Sequence, residues 1–142
     1  MKIGEIINYN EIIKTIINEI NINSLAKFRL LGLCKQFESI AGNYEIVRNE
    51  LIQKYGENKN GTFGIFEPVK DNYSNDDEYN TAVEKYNAAI TGLKNELAII
   101  LDSETSIKIN KIKYSDIINA GIPADYLLAI YDLIEEWLGG IE

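Results

Sequence analysis

The chain has no histidine, one cysteine, one tryptophan and two prolines in 142 residues. The missing histidine removes the usual general base near neutral pH and the commonest metal-ligating side chain. A single thiol, Cys34, excludes an intrachain disulfide and any CxxC metal site. It stands in an apolar stretch with helical spacing, where a buried, inert thiol is expected rather than a nucleophile. Cations are scarce too: 14 Lys and Arg face 22 Asp and Glu, for a net charge of −8. Affinity for DNA or RNA comes mostly from cations that neutralise phosphates, so direct nucleic-acid binding is not expected. No run approaches the ~18 apolar residues of a membrane span. The opening MKIGEIINYNEIIK is broken by Glu5, Asn8, Asn10 and Glu11, unlike a secretory signal. The expected location is a cytoplasm, or a particle assembled in one.

Apolar residues make up 46% and charged residues 25%, which fits a folded chain with a core of its own. Ile12, Ile13, Ile16, Ile17 and Ile20 fall on one helical stripe, with Asn8 or Asn10 as N-cap. NINS at 21–24 breaks that pattern, and Ser24 can cap the next helix. Leu33, Phe37, Ile40, Tyr44, Val47 and Leu51 then step by 4, 3, 4, 3 and 4, with Tyr55 one turn later. That is the heptad seam of a coiled-coil-like packing. Gly32 and Gly42 weaken this helix, or mark places where a neighbour comes close. Gly56 is suited to end it in a positive-φ conformation.

A second seam runs through Tyr79, Val83, Tyr86, Ile90, Leu93, Leu97 and Ile100. SNDDE at 74–78 supplies its cap and an acidic first turn. Two seams joined by about twenty residues most simply form an antiparallel hairpin. At its tip, NKNG at 58–61 is a turn signal, and the next stretch, TFGIFEPV, is aromatic and β-branched. A strand is expected near Ile107 and Ile109, pairing with residues 62–66. SDIINAG at 115–121 reads as a single turn capped by Ser115. After Pro123, a helix would place Leu127, Ile130, Ile134 and Trp137 on one face and end at Gly139 and Gly140.

No GxGxxG, GxxxxGK[ST], GxSxG or HExxH occurs. Asp76, Asp77 and Glu78 lack the alternation of a calcium loop and read as capping residues. No catalytic, cofactor-binding or metal-ligating residue is therefore expected. The aromatic residues carry the remaining signal. Tyr44, Tyr55, Tyr79 and Tyr86 fall on the seams, whereas Phe63, Ile65, Phe66 and Tyr73 fall at the tip. Folded back, those four cap the helices; exposed, they are an apolar anchor for a protein partner.

FRLLGLCKQFESIAGNYEIVRNELIQKYGE at 28–57, EYNTAVEKYNAAITGLKNELAII at 78–100 and IKINKIKYSDI at 107–117 carry a resemblance. Their order resembles that in a loose group of small bacteriophage proteins of unknown function, encoded near virion genes in phages of low-GC bacteria. The shared elements are Glu50, Leu51, Ile52, Lys54, Tyr55 and Gly56, then Asn95, Glu96 and Leu97, then Ser115, Asp116 and Ile117. The resemblance covers roughly residues 24–118; the N-terminal isoleucine helix and the long aromatic tip have no counterpart in it. It implies a protein that acts by binding, in the particle or during its assembly, and offers no catalytic residue.

The expectation is a mainly α-helical single domain, 1–142. Its parts are an N-terminal helix at 1–22, a long antiparallel coiled-coil-like hairpin at 24–102 with a short β element in a tip at 57–75, and a short strand and packed C-terminal helix at 103–142. The expected function is that of a non-enzymatic phage structural or assembly protein, in the virion or the host cytoplasm. Its partner is a protein of the virion or the host, or a second copy of the chain. The alternative is a phage-encoded acidic inhibitor that mimics nucleic acid against a host defence or nucleic-acid enzyme.

Overall fold

The computed structural model describes residues 1–135 and is mainly helical. Its helices are α1 (Ile3–Glu19), α2 (Ser24–Tyr55), α3 (Asp76–Leu101) and α4 (Ala124–Ala129). Its strands are β1 (Glu57–Lys59), β2 (Thr62–Gly64), β3 (Ile112–Lys113) and β4 (Ile134–Glu135). The chain divides into two compact units: Met1–Gly42 with the residues from Ser103 onward, and Asn43–Asp102. Helix α2 contributes residues to both.

The first unit contains every fully buried side chain among the described residues. Ile6, Ile13 and Ile16 of α1 meet Ala26, Leu30, Leu33 and Phe37 of α2, and Ile112, Ile117, Ile130 and Leu133 complete the cluster. Burying each such side chain favours folding by about 1.5–3 kcal/mol. The isoleucine stripe starts earlier than expected, because α1 begins at Ile3 and not after Asn8 or Asn10. Its first turn is satisfied without an asparagine cap: Glu5 accepts the Lys2 N–H at 3.2 Å, and Ile3 N donates to the Ser103 carbonyl at 3.0 Å. Asn10 is instead a buried interior residue whose Oδ1 has no hydrogen-bond partner among the described residues. At α2 the cap is Asn23, not Ser24; its Oδ1 accepts from Ala26 N at 2.9 Å.

Residues 105–109 alternate between half-buried and exposed, as a strand would, but pair with no strand among the described residues. The strand lies further on: β3 runs parallel to β4, with Ile112 opposite Ile134. The expected pairing with 62–66 is absent among the described residues, where β2 pairs with β1. The C-terminal helix is also corrected. After six residues α4 gives way to a 3-10 turn at Tyr131–Leu133 and then to β4. Ile130, Leu133 and Ile134 keep the apolar spacing of a helix face and are all buried, but Ile134 is taken up by pairing with Ile112. Trp137, Gly139 and Gly140 lie outside the described residues.

In the second unit the ribbon closes as its residues dictate. Asn60 (φ 53°) and Gly61 (φ 84°) form the two-residue positive-φ turn that Asn-Gly favours, and Asn58 Oδ1 accepts from Gly61 N at 2.9 Å. Asn75 caps α3 by accepting from Glu78 N at 2.9 Å, while the Glu78 carboxylate accepts from Ser74 N at 3.3 Å. Gly56 does not take the positive φ expected of it. A side chain there would instead stand 2.5 Å from the Ile52 carbonyl and 2.6 Å from that of Gly64, so close approach of the ribbon demands glycine. Gly32 and Gly42 show the reverse, since an added Cβ at either meets nothing within 4 Å.

Candidate partner-binding site

The ribbon decides where the four tip residues go. In the β1–β2 register Asn58 stands opposite Phe63, and Lys59 opposite Thr62. Successive side chains on a strand point to opposite faces, so Phe63 and Gly64 are turned apart. Phe63 is 47% exposed, whereas Ile65, Phe66 and Tyr73 are half-buried. The Phe66 ring folds onto Gly64, where an added Cβ would meet its Cζ at 3.0 Å. Lys59 Nζ lies 4.9 Å from the centre of the same ring, within cation–π range. Tyr73 meets Tyr79 of α3 edge to face, with ring centres 5.9 Å apart and planes at 62°.

Ile65, Phe66 and Tyr73 thereby line one hollow of about 240 Å³ with Tyr55, Tyr86 and Ala82. Lys59 and Lys85 also line it, as does Glu57. Of the four tip residues, three are brought together here and Phe63 is left outside. The contributions of Tyr55, Tyr86 and the two lysines were not singled out from the sequence. Their signal was present in Gly56, which lets the ribbon close on the end of α2, and in Gly64, which leaves room for the Phe66 ring.

Beside the hollow, Tyr55 at the end of α2 reaches α3. An added Cβ at Gly92 would sit 2.5 Å from Tyr55 Cε1, so the ring lies directly on the glycine. Lys54 Nζ is 3.1 and 3.3 Å from the two Glu96 carboxylate oxygens. Hydrogen bonds from the Tyr55 hydroxyl and then the Lys54 ammonium hold the Glu96 carboxyl below its ordinary range. The same hydrogen bond to Glu96 raises the Tyr55 phenol, and the Lys54 ammonium is raised by its own bond to Glu96. Tyr55 therefore faces the middle of α3, not its start. Nearer its start, α3 meets Tyr73 through Tyr79 and lines the hollow with Ala82, Lys85, Tyr86 and Ala89.

Among the described residues, no three carboxylate or thiol groups are placed to hold a metal ion. No described helix is long and apolar enough to cross a membrane. No protein-family model, curated protein or solved structure matches the chain.

Proposed function

We propose that the protein acts by binding another protein through the ribbon, as a bacteriophage structural or assembly component and not as an enzyme. The observation that carries this is the pairing of one protruding ring, Phe63, with an aromatic hollow on the other face of the ribbon. Anchors of binding energy are typically aromatic side chains next to pockets. In this reading α2 from residue 43 onward and α3 form an antiparallel, coiled-coil-like arm that presents the ribbon. The phage setting rests on the sequence resemblance carried by residues 24–118.

The acidic-inhibitor reading has one observation in its favour: residues 43–102 hold eleven acidic and six basic side chains. Against it, cations are interleaved with the acids. Glu45, Glu57, Asp76 and Glu96 lie 3.8, 3.5, 3.8 and 3.1 Å from Arg48, Lys59, Lys70 and Lys54. A nucleic-acid mimic needs carboxylates that imitate a row of phosphates, without cations between them.

Photo-crosslinking from position 63 in phage-producing cells separates the two. A benzoylphenylalanine there should form one adduct with a virion or assembly protein, and none when placed at Glu84. An adduct with a host nucleic-acid enzyme supports the inhibitor, and no adduct at position 63 refutes the ribbon as contact surface.

A further inference from the structure

In the first unit, residues 108–113 run beside α2. Asn110 is held there by a side-chain amide: Gln36 Nε2 donates to its carbonyl at 3.2 Å, and Gln36 Oε1 accepts from its N–H at 2.7 Å. The amide stands where a neighbouring strand's peptide group would stand. An extended chain turns alternate residues the same way, so Ile112 is the next residue whose peptide groups can face α2. The other edge of β3 is occupied by β4. On α2 the residue one turn before Gln36 is Gly32, which has no side chain to offer. Position 32 therefore offers Ile112 no side chain of the kind that Gln36 offers Asn110, and an opening is left beside it. The opening is a cavity of about 430 Å³ lined by Gly32, Gln36, Asn110 and Ile112, with the 67%-exposed Phe28 as one wall.

Nothing in the fold requires Gly32. An added Cβ there meets no atom within 4 Å, and glycine is a poor helix former. What it preserves is the opening. One wall of the groove is rich in lysine. IKINKIK at 107–113 holds Lys108, Lys111 and Lys113, all exposed, and no acid. Arg29, Lys111 and Lys113 line the cavity with two acids, of which Asp116 is paired to Arg29 at 3.2 Å and Glu135 lies on β4.

We propose that this groove is a second binding surface, which receives an extended acidic peptide segment of a partner protein. The segment lies beside residues 108–112, pairs its backbone with Ile112 in the opening left by Gly32, and places carboxylates against Lys111 and Lys113.

The test is selection of a displayed library of random nine-residue peptides on the full chain. The selected peptides are then titrated against Gly32→Gln and against Lys111→Glu with Lys113→Glu. Gly32→Gln repeats the Gln36 arrangement one turn earlier and should raise the melting temperature while closing the groove. The expected result is peptides with two or more Asp or Glu interleaved with apolar residues, whose affinity falls at least tenfold on either variant. A library that enriches nothing, that enriches basic or uncharged peptides, or whose peptides bind both variants as well as the parent overturns the proposal. So does a parent oligomer that Gly32→Gln dissociates, because the occupant is then a second copy of the chain.

Discussion

Replacing Gly92 by alanine sets two effects of similar size against each other. In a helix interior alanine is favoured over glycine by about 1 kcal/mol. At Gly92, however, the new Cβ would stand 2.5 Å from Tyr55 Cε1 and 2.9 Å from Cζ, well inside contact distance. The ring must move, at an overpacking cost of about 1–3 kcal/mol, and its hydroxyl leaves Glu96 as it goes. The expected net effect is a loss of about 1 kcal/mol. Gly42→Ala is the control, since its Cβ meets nothing within 4 Å; it should gain about 1 kcal/mol. Urea unfolding followed by far-UV circular dichroism should therefore move the two midpoints in opposite directions. A Tyr55→Leu background removes the clash, and Gly92→Ala should then stabilise by about 1 kcal/mol, a coupling within the range for contacting residues. If Gly92→Ala stabilises the parent as much as Gly42→Ala does, Tyr55 does not lie on Gly92 and the account of the α2–α3 contact is wrong.

Asn10→Leu replaces a buried amide whose oxygen has no partner among the described residues with an apolar group of similar size; unfolding midpoints should rise by the equivalent of about 1 kcal/mol. Phe63→Ser should change stability by less than about 0.5 kcal/mol, whereas Phe66→Ser should cost about 1–2 kcal/mol because its ring is folded onto Gly64. Equal effects in thermal melts would mean that the ribbon faces are misassigned. Burial and then the hydrogen bond to Asp132 push the Tyr9 phenol from 10.0 up to about 12. Because the folded value is the higher one, this contribution to stability is complete below pH 10 and is lost as the pH rises towards 12. Ultraviolet titration should show a late tyrosinate step that Tyr9→Phe removes, and its persistence in that variant would refute the assignment.

Helical periodicity was legible wherever one helix face meets one surface, and so was the Asn-Gly turn, whose φ values are set by residue type alone. What the sequence left open depended on partners distant along the chain. The start of α1 is satisfied by Ser103, which no local pattern announces. The helix expected after Pro123 had the right apolar spacing, but Ile134 pairs with Ile112 and turns that segment into a strand. The tip residues could be named because they are aromatic among turn residues. Which of them pointed outward depended on the β1–β2 register, and that was not readable from composition. The groove beside Gly32 was visible only as a weak point in a helix, since the residue that gives it meaning, Gln36, acts on Asn110, 74 positions away.

The glycines of the two long helices and of the turn after α2 divide into two kinds, and the division separates what the fold needs from what it tolerates. Gly56 and Gly92 are each pressed by another part of their own unit, and a methyl group at either would collide with it. Gly32 and Gly42 are pressed by nothing, so alanine should improve the helix at both. A position where local propensity and the packed structure both favour another residue is one where a constraint from outside the fold has room to act. Gly32 meets that condition and also lines the groove that holds Lys111 and Lys113. Gly42 meets it without lining either the groove or the aromatic hollow, so its replacement tests helix propensity alone. If Gly32→Ala and Gly42→Ala stabilise equally while only the former weakens peptide binding, stability and recognition are separable along one helix.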